Sequence, residues 1–333
     1  MAGGIDSVDQ GAHVIDSGNR RQKTEHIRSL PIRRRTVGDV RLSIAIPQLD
    51  SDSVDAAGLC AYLARAEELG FEGGWVLEQI IGEAPLLAPL ELLAYCAART
   101  ERLRLGVAVL VSSLHDPIQL ASAITAVDRL SHGRLDVGVA PGGGFRSFAA
   151  FGVEKATYIR YFTEGLQLMK AAWSDEPRVT FHGRFRDVDD LPIQPKPVQR
   201  PHPPIWFGGQ ARKALARAVR HGDSFLGAGS STTEAFSGAV KVVRRELAEQ
   251  HKDPTHFTIG KRVYLMIDDD AARARDRVLT GLRRIYGTMP GIDAVPVSGT
   301  PTRRCRPRAA LGDRRGRRHA AFQSRRPRRS GEP

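Results

Sequence analysis

Four stretches carry residue types that could do chemistry. Glu78-Gln79 follows the apolar triplet Trp75-Val76-Leu77, so the pair should sit at the end of a strand. A carboxylate there can accept hydrogen bonds or a proton. Glutamine can donate and accept hydrogen bonds but takes no proton near neutral pH. His115 follows a second apolar run and could face a pocket, although a single histidine is more often structural. Gly208-Gly209-Gln210 follows Ile205-Trp206-Phe207 and precedes a helical pattern. Free N–H groups at such a junction, with the helix dipole, favour a phosphate, and Arg212 and Lys213 add positive charge. Pro141-Gly142-Gly143-Gly144 would let backbone approach a ligand closely. The bland readings are a polar loop at Gln79 and a plain strand-to-helix turn with surface cations at Gly208. Tyr158 and Arg160 fit a solvated helix start better than a binding role. The sequence offers no Ser-His-Asp set, no Walker loop and no His/Cys cluster at metal-ligand spacing.

Repeated strand-helix units must position these residues. Arg102 to Gly144 is the clearest of them. Leu103 to Val111 is nearly all apolar, as a strand covered on both faces requires. Pro117 suits the first turn of a helix, and Ile118, Ala121, Ile124, Val127 and Leu130 recur at helical spacing. Gly133 is placed for a left-handed cap, and Leu135 to Val139 is the next strand. Parallel strands and a right-handed crossover follow from that order. The same pattern gives strands at 41–46, 75–77, 205–207, 223–226 and 257–267. It gives helices near Leu59–Leu69, Leu90–Ala97, Phe162–Trp173, Ala211–Ala218, Thr233–Gln250 and Ala271–Tyr286, with Thr233 as a cap. "RVTFHGRFRDV" reads as an inserted hairpin turning at His182-Gly183, and a proline-rich stiff connection follows it. Seven strand-helix units imply an α/β fold, a (β/α)₈ TIM barrel one unit short. Ligands of such a barrel bind at the C-terminal ends of its strands.

Composition limits the alternatives. The chain has 333 residues and is 41% hydrophobic, enough for one large barrel. There is no apolar run long enough to span a membrane and no signal-peptide core, so the cytoplasm is the default location. The three cysteines form no disulfide framework. The net charge of +13 is mostly a tail: 12 arginines against two acids lie from Gly299 onward. Residues 1–39 lack a hydrophobic period and read as a disordered leader, with Arg33-Arg34-Arg35 a solvated charge run. Residues 301–333 have almost no β-branched residues and read as a disordered Arg-rich tail. Such text is what GC-rich coding DNA gives out of frame, so the eighth barrel unit is expected to be missing or replaced. The first and seventh strands would then flank an open seam. A basic arm for nucleic acid is the weaker reading of the tail.

"GVAVLVSSLHDP", "LSHGRLDVGVAPGGGF" and "PHPPIWFGG", in this order and spacing, resemble the bacterial luciferase-like flavin-dependent oxidoreductases. The likeness runs over about 41–300. It implies a TIM barrel binding a reduced flavin, either FMN with oxygen or the deazaflavin coenzyme F-420 for hydride transfer, and acting on a small organic substrate. A separate flavin reductase is a partner it suggests; a membrane and a nucleic acid are not, and a homodimer would cover part of the open seam. It places a non-proline cis peptide at Ala108-Val109 against the flavin face, with Pro141 and Gly142 beside the cofactor. It places the cofactor phosphate at Gly208, Gly209, Gln210 and Lys213. Glu78 and Gln79 take the catalytic place, where the family often has Glu-His or Asp-His. Gln79 removes that general base, so a barrel that binds flavin without catalysis is the second reading.

Overall fold

The computed structural model describes residues 36–37, 40–48, 55–81, 85–143, 148–287, 289–301 and 318–323, all within one unit, Arg34–Pro333. Its strands are β1 (Thr36–Val37), β2 (Val40–Ala45), β3 (Gly73–Val76), β4 (Arg104–Val111), β5 (Leu135–Ala140), β6 (Arg178–His182), β7 (Asp187–Pro192), β8 (Ile205–Gly208), β9 (Ser224–Gly227), β10 (Thr258–Ile267), β11 (Val297–Gly299) and β12 (Arg318–Gln323). Its helices are α1 (Ala56–Glu68), α2 (Pro89–Ala97), α3 (Pro117–Leu130), α4 (Tyr158–Trp173), α5 (Arg212–His221), α6 (Thr233–Glu249) and α7 (Ala271–Tyr286).

Eight strands close into a parallel ring in the order β2-β3-β4-β5-β8-β9-β10-β12, with β12 returning to β2. This corrects the expectation of an open seam. Arg318–Gln323 runs parallel to β10, from Ile259↔Arg318 to Tyr264↔Gln323, and to β2, from Arg318↔Val40 to Phe322↔Ile44. The physical reason is that a ladder is made of backbone groups. Arg318–Gln323 contains neither Pro nor Gly, so every residue can both donate and accept, whatever its β propensity. A second strand lies at the opposite edge of the expected leader: Thr36–Val37 pairs antiparallel with the start of β2. The rest of the leader and of the tail lies outside the described residues.

The local rules account for the elements around the ring. Asp116 caps α3 by accepting from Ile118 N (2.9 Å) and Gln119 N (3.1 Å), and Pro117 takes the first helical position. The helix stops at Ser131 with His132 and Gly133 both left-handed, Gly133 at φ 77°. Leu120, Ala121, Ile124 and Val127 bury its inner face against β4 and β5 in the main core. The cap of α6 is Thr232, whose hydroxyl accepts from Ala235 N, one residue earlier than the sequence suggested. The hairpin β6–β7 is a separate antiparallel pair. Glu164 of α4 secures its turn by accepting from Arg184 N, Phe185 N and Arg186 N at 2.7–2.8 Å.

The barrel is filled, not hollow. Trp75 on β3 meets Trp206 on β8 edge-to-face, 5.3 Å between ring centroids, although the two strands lie three places apart in the ring. That contact must cross the interior. Ala108 and Leu226 complete the cluster. Gly106 makes room for it, since a Cβ there would lie 2.4 Å from Trp75 Cε3. Below, Trp206 Nε1 donates to Asp136 Oδ1 (3.2 Å), and Asp136 pairs with Arg104 at 2.8 Å. Among the described residues no helix is long and apolar enough to cross a membrane, and no group of His, Cys, Asp and Glu could hold a metal ion.

Candidate functional site

The residues singled out in the sequence gather at the C-terminal ends of β3, β4, β5 and β8. Glu78 is the best fixed of them. Gln48, just past β2 and buried, accepts from Leu77 N (2.7 Å) and donates to Leu77 O (2.5 Å) and Leu87 O (2.7 Å). Both backbone groups of the residue before Glu78 are thereby held. Glu78 then folds inward with only 2% of its side chain exposed. Its Oε2 accepts from Val111 N (2.5 Å), and its Oε1 lies 2.8 Å from His115 Nε2. Glu78, Gln79 and His115 line a cavity of about 430 Å³ between the starts of α2 and α3. Gln79 is exposed at its edge. Gln48 and the Glu78–His115 pairing escaped the sequence reading. A lone Gln carries no periodic signal, and the pair is separated by 37 residues.

The Ala108-Val109 peptide is cis, and the β4–β5 register shifts between Val107 and Leu110. Gly138 accommodates this bulge. A Cβ on Gly138 would fall 2.1 Å from Val107 O and 3.0 Å from Val109 Cγ1. A Cβ on Gly208 would meet Val109 Cγ1 at 3.4 Å. Val109 and Gly208, noted separately in the sequence, are thus neighbours across the mouth. Pro141 O accepts from Ser113 Oγ (3.1 Å). Gly142, at φ 79°, lies against Val111 and Phe148 and has no room for a Cβ.

The β8–α5 junction is a second recess. Gly209 has φ 152°, and a Cβ on it would lie 2.9 Å from Ala214 Cβ, so both backbone and space call for glycine. Ala211 caps α5 without any side-chain hydrogen bond, and the first turn carries no acid. The N-terminal N–H groups of α5 therefore have no capping side chain, which leaves them suited to an anion. Gly209, Gln210 and Arg212 line a cavity of about 320 Å³ shared with Ser231 and the apolar face of α6. Arg212 rather than Lys213 lines it, although both side chains are exposed. Next to it, Lys261 Nζ donates to Ser231 O (2.6 Å), and burial, aided by Arg262, pushes the ammonium down to about 8. Tyr158 packs on Phe148 at 5.5 Å, and Arg160 is exposed.

A filled parallel barrel with two recesses at its C-terminal mouth defines a TIM-barrel protein. Residues 40–332 match the luciferase-like monooxygenase family, and the chain belongs to that family. It is 31% identical over 181 residues to an FMNH2-dependent dimethylsulfone monooxygenase of Pseudomonas putida, covering 54% of this chain and 48% of that one. It is 27% identical over 227 residues to an F-420-dependent glucose-6-phosphate dehydrogenase of Kineococcus radiotolerans, covering 65% and 66%. The chain spans about half the length of the first two curated relatives, 55% and 48%. A crystal structure of a monooxygenase from Streptomyces bottropensis superposes with a TM-score of 0.69 at 24% identity, over 85% of this chain and 92% of that one. That likeness concerns the fold.

Proposed function

We propose that this chain is an oxidoreductase that binds FMN or the deazaflavin coenzyme F-420 at the barrel mouth and acts on a small organic molecule. The observation that carries the reading is the bulge at Val109, which leaves Gly138 no room for a Cβ and lies against Gly208, set beside an uncapped helix N-terminus with Arg212 on its wall. These residues fit a flat ring with a phosphate on one arm. Ala108, Val109, Pro141 and Gly142 would flank the ring. Gly208, Gly209, Gln210 and Arg212 would receive the phosphate, with Lys213 adding charge from outside. When bound, such a group supplies hydride transfer or, for FMN, oxygen chemistry. The protein binds and orients it, and the Trp75–Trp206 cluster closes the barrel beneath it. A relative that uses FMNH2 and another that uses F-420 support both cofactors equally. With FMN, a separate flavin reductase would supply the reduced form.

The test is titration of the purified chain with FMN and with F-420, followed by absorbance. Arg212→Glu puts a negative charge where the phosphate would sit and should weaken binding by about tenfold or more. Lys213→Glu should weaken it less, because Lys213 lies outside the lining of that cavity. Equal affinity of the native chain and Arg212→Glu for both cofactors would reject the anchor.

A further inference from the structure

The cavity at the ends of β3 and β4 holds a polar pair that cofactor binding does not use. Glu78 accepts at both oxygens, from Val111 N and at His115 Nε2. An acceptor-only carboxylate on Nε2 requires the ring hydrogen to be there. A neutral imidazole has one N–H, so Nδ1 carries the lone pair. Among the described residues nothing hydrogen-bonds to that Nδ1. The His115 side chain is 27% exposed and lines the cavity, while Glu78 behind it is 2% exposed. The ring is therefore held from the protein side and open on the other. Gln79, its neighbour in the wall, cannot take a proton.

The walls say what could meet that nitrogen. Leu86, Leu87, Pro89, Leu90 and Leu120 are apolar. Among the described residues the charges are Glu78 after β3, Glu91 on α2 and Asp116 before α3, and no described Lys or Arg lines the cavity. Asp116 is approached from the hairpin by Arg186, whose Nε is 4.0 Å away. An anionic molecule would face three carboxylates with no partner, whereas a neutral one would not.

We propose that His115 is the proton acceptor of this cavity for a neutral hydroxyl-bearing molecule, with Glu78 as its positioning residue. The O–H bond of the bound hydroxyl breaks, its electron pair stays on oxygen, and the proton bonds to Nδ1. The resulting imidazolium donates to Glu78 through Nε2 and to the oxygen through Nδ1. Glu78 fixes the tautomer and stabilises the cation, as a carboxylate does behind any general-base histidine. This deepens the proposed oxidoreductase reading, because such a hydroxyl would belong to its substrate.

The test needs no cofactor. 4-Nitrophenol is small, neutral when protonated, and yellow only when ionised. Added to the full chain at a pH where the free probe is mostly protonated, it should bind and turn yellow. His115→Gln should abolish that ionisation, and His115→Asn should do the same, each checked for folding by its circular dichroism melt. Glu78→Gln should leave about tenfold less ionised probe, because an opposite charge at contact favours the protonated ring. 4-Nitrobenzoate, the anionic counterpart, should bind more weakly than the phenol. Nitrogen NMR of the unliganded chain should show His115 protonated at Nε2 and not at Nδ1, a reading that requires no variant. A merely structural Glu78–His115 tie would leave the probe colourless. A probe that stays protonated or unbound on the native chain, one that ionises equally on both His115 variants, or a ring protonated at Nδ1 would overturn the proposal. Failure of FMN and F-420 to bind would remove the cofactor reading while leaving the probe result standing. A colourless probe on a chain that binds flavin would remove the role of His115 alone.

Discussion

Replacing Ala321 by proline removes one backbone N–H from the strand that closes the barrel. Ala321 sits opposite Arg262 on β10 and Ser43 on β2, so it has a ladder on each side. The substitution deletes one hydrogen bond and leaves a carbonyl across the ladder without its donor. An unmade bond of this kind costs about 1–3 kcal/mol, and the proline ring adds steric conflict with the neighbouring strand, giving about 2–4 kcal/mol together. For a domain of this size each kcal/mol is worth about 2–4 °C, so the melting temperature should fall by roughly 5–15 °C. Calorimetry gives the shift. Amide hydrogen exchange gives its location, since protection should drop in Leu42 and Ile44 on β2 and in Val263 on β10. Native-like melting together with unchanged protection on both strands would refute the closed ring. Loss of protection on β10 alone would show that β12 does not pair with β2.

Two further outcomes follow from contacts already described. Gly138→Ala should lower stability by about 1–3 kcal/mol, because its Cβ would meet the Val107 carbonyl and not a flexible side-chain end. It should also weaken cofactor binding by displacing Val109, and a variant matching the native chain in both melting and titration would contradict the described bulge. Lys261 gives a pH signature, since burial holds its ammonium near 8 in the folded chain. Between about 8 and the ordinary lysine range the unfolded chain keeps a proton that the folded chain has released, so stability from this site is present above that range and is lost as pH falls through about 8. Lys261→Met should therefore help most below pH about 8 and progressively less above it, and melts of both proteins across that interval should show the difference shrinking; a constant difference would refute the shift.

Much of this architecture is legible in the chain because periodicity reports burial. The bounds of α3 and α7 agree with the pattern to the residue, since Asp116-Pro117 and Asp270 start them with strong local signals and Gly133 and Gly287 lie just beyond their ends. β12 was illegible for the opposite reason. It is held by backbone pairing to two neighbours, and Arg-His-Ala-Ala-Phe-Gln shows no alternation that would announce it. The site divides the same way. Gly208-Gly209 could be read from its strand-to-helix setting. That Val109 would lie against Gly208, or His115 against Glu78, depends on how the ring brings β4 beside β3 and across from β8. Gln48 shows the limit of local reading, because its three bonds go to Leu77 and Leu87, 29 and 39 residues away.

The tryptophan pair inside the barrel also gives the protein a built-in light source. The chain has three tryptophans, and two of them, Trp75 and Trp206, are in contact under the mouth. The third, Trp173, is buried on α4 with its indole N–H bound to Ala121 O. The first two rings are 5.3 Å apart. A coloured ring seated above them would take up their emission. Ultraviolet fluorescence of the unlabelled chain thus reads the filling of the mouth directly, and Trp206→Phe would dim that signal while leaving Trp173 emission in place.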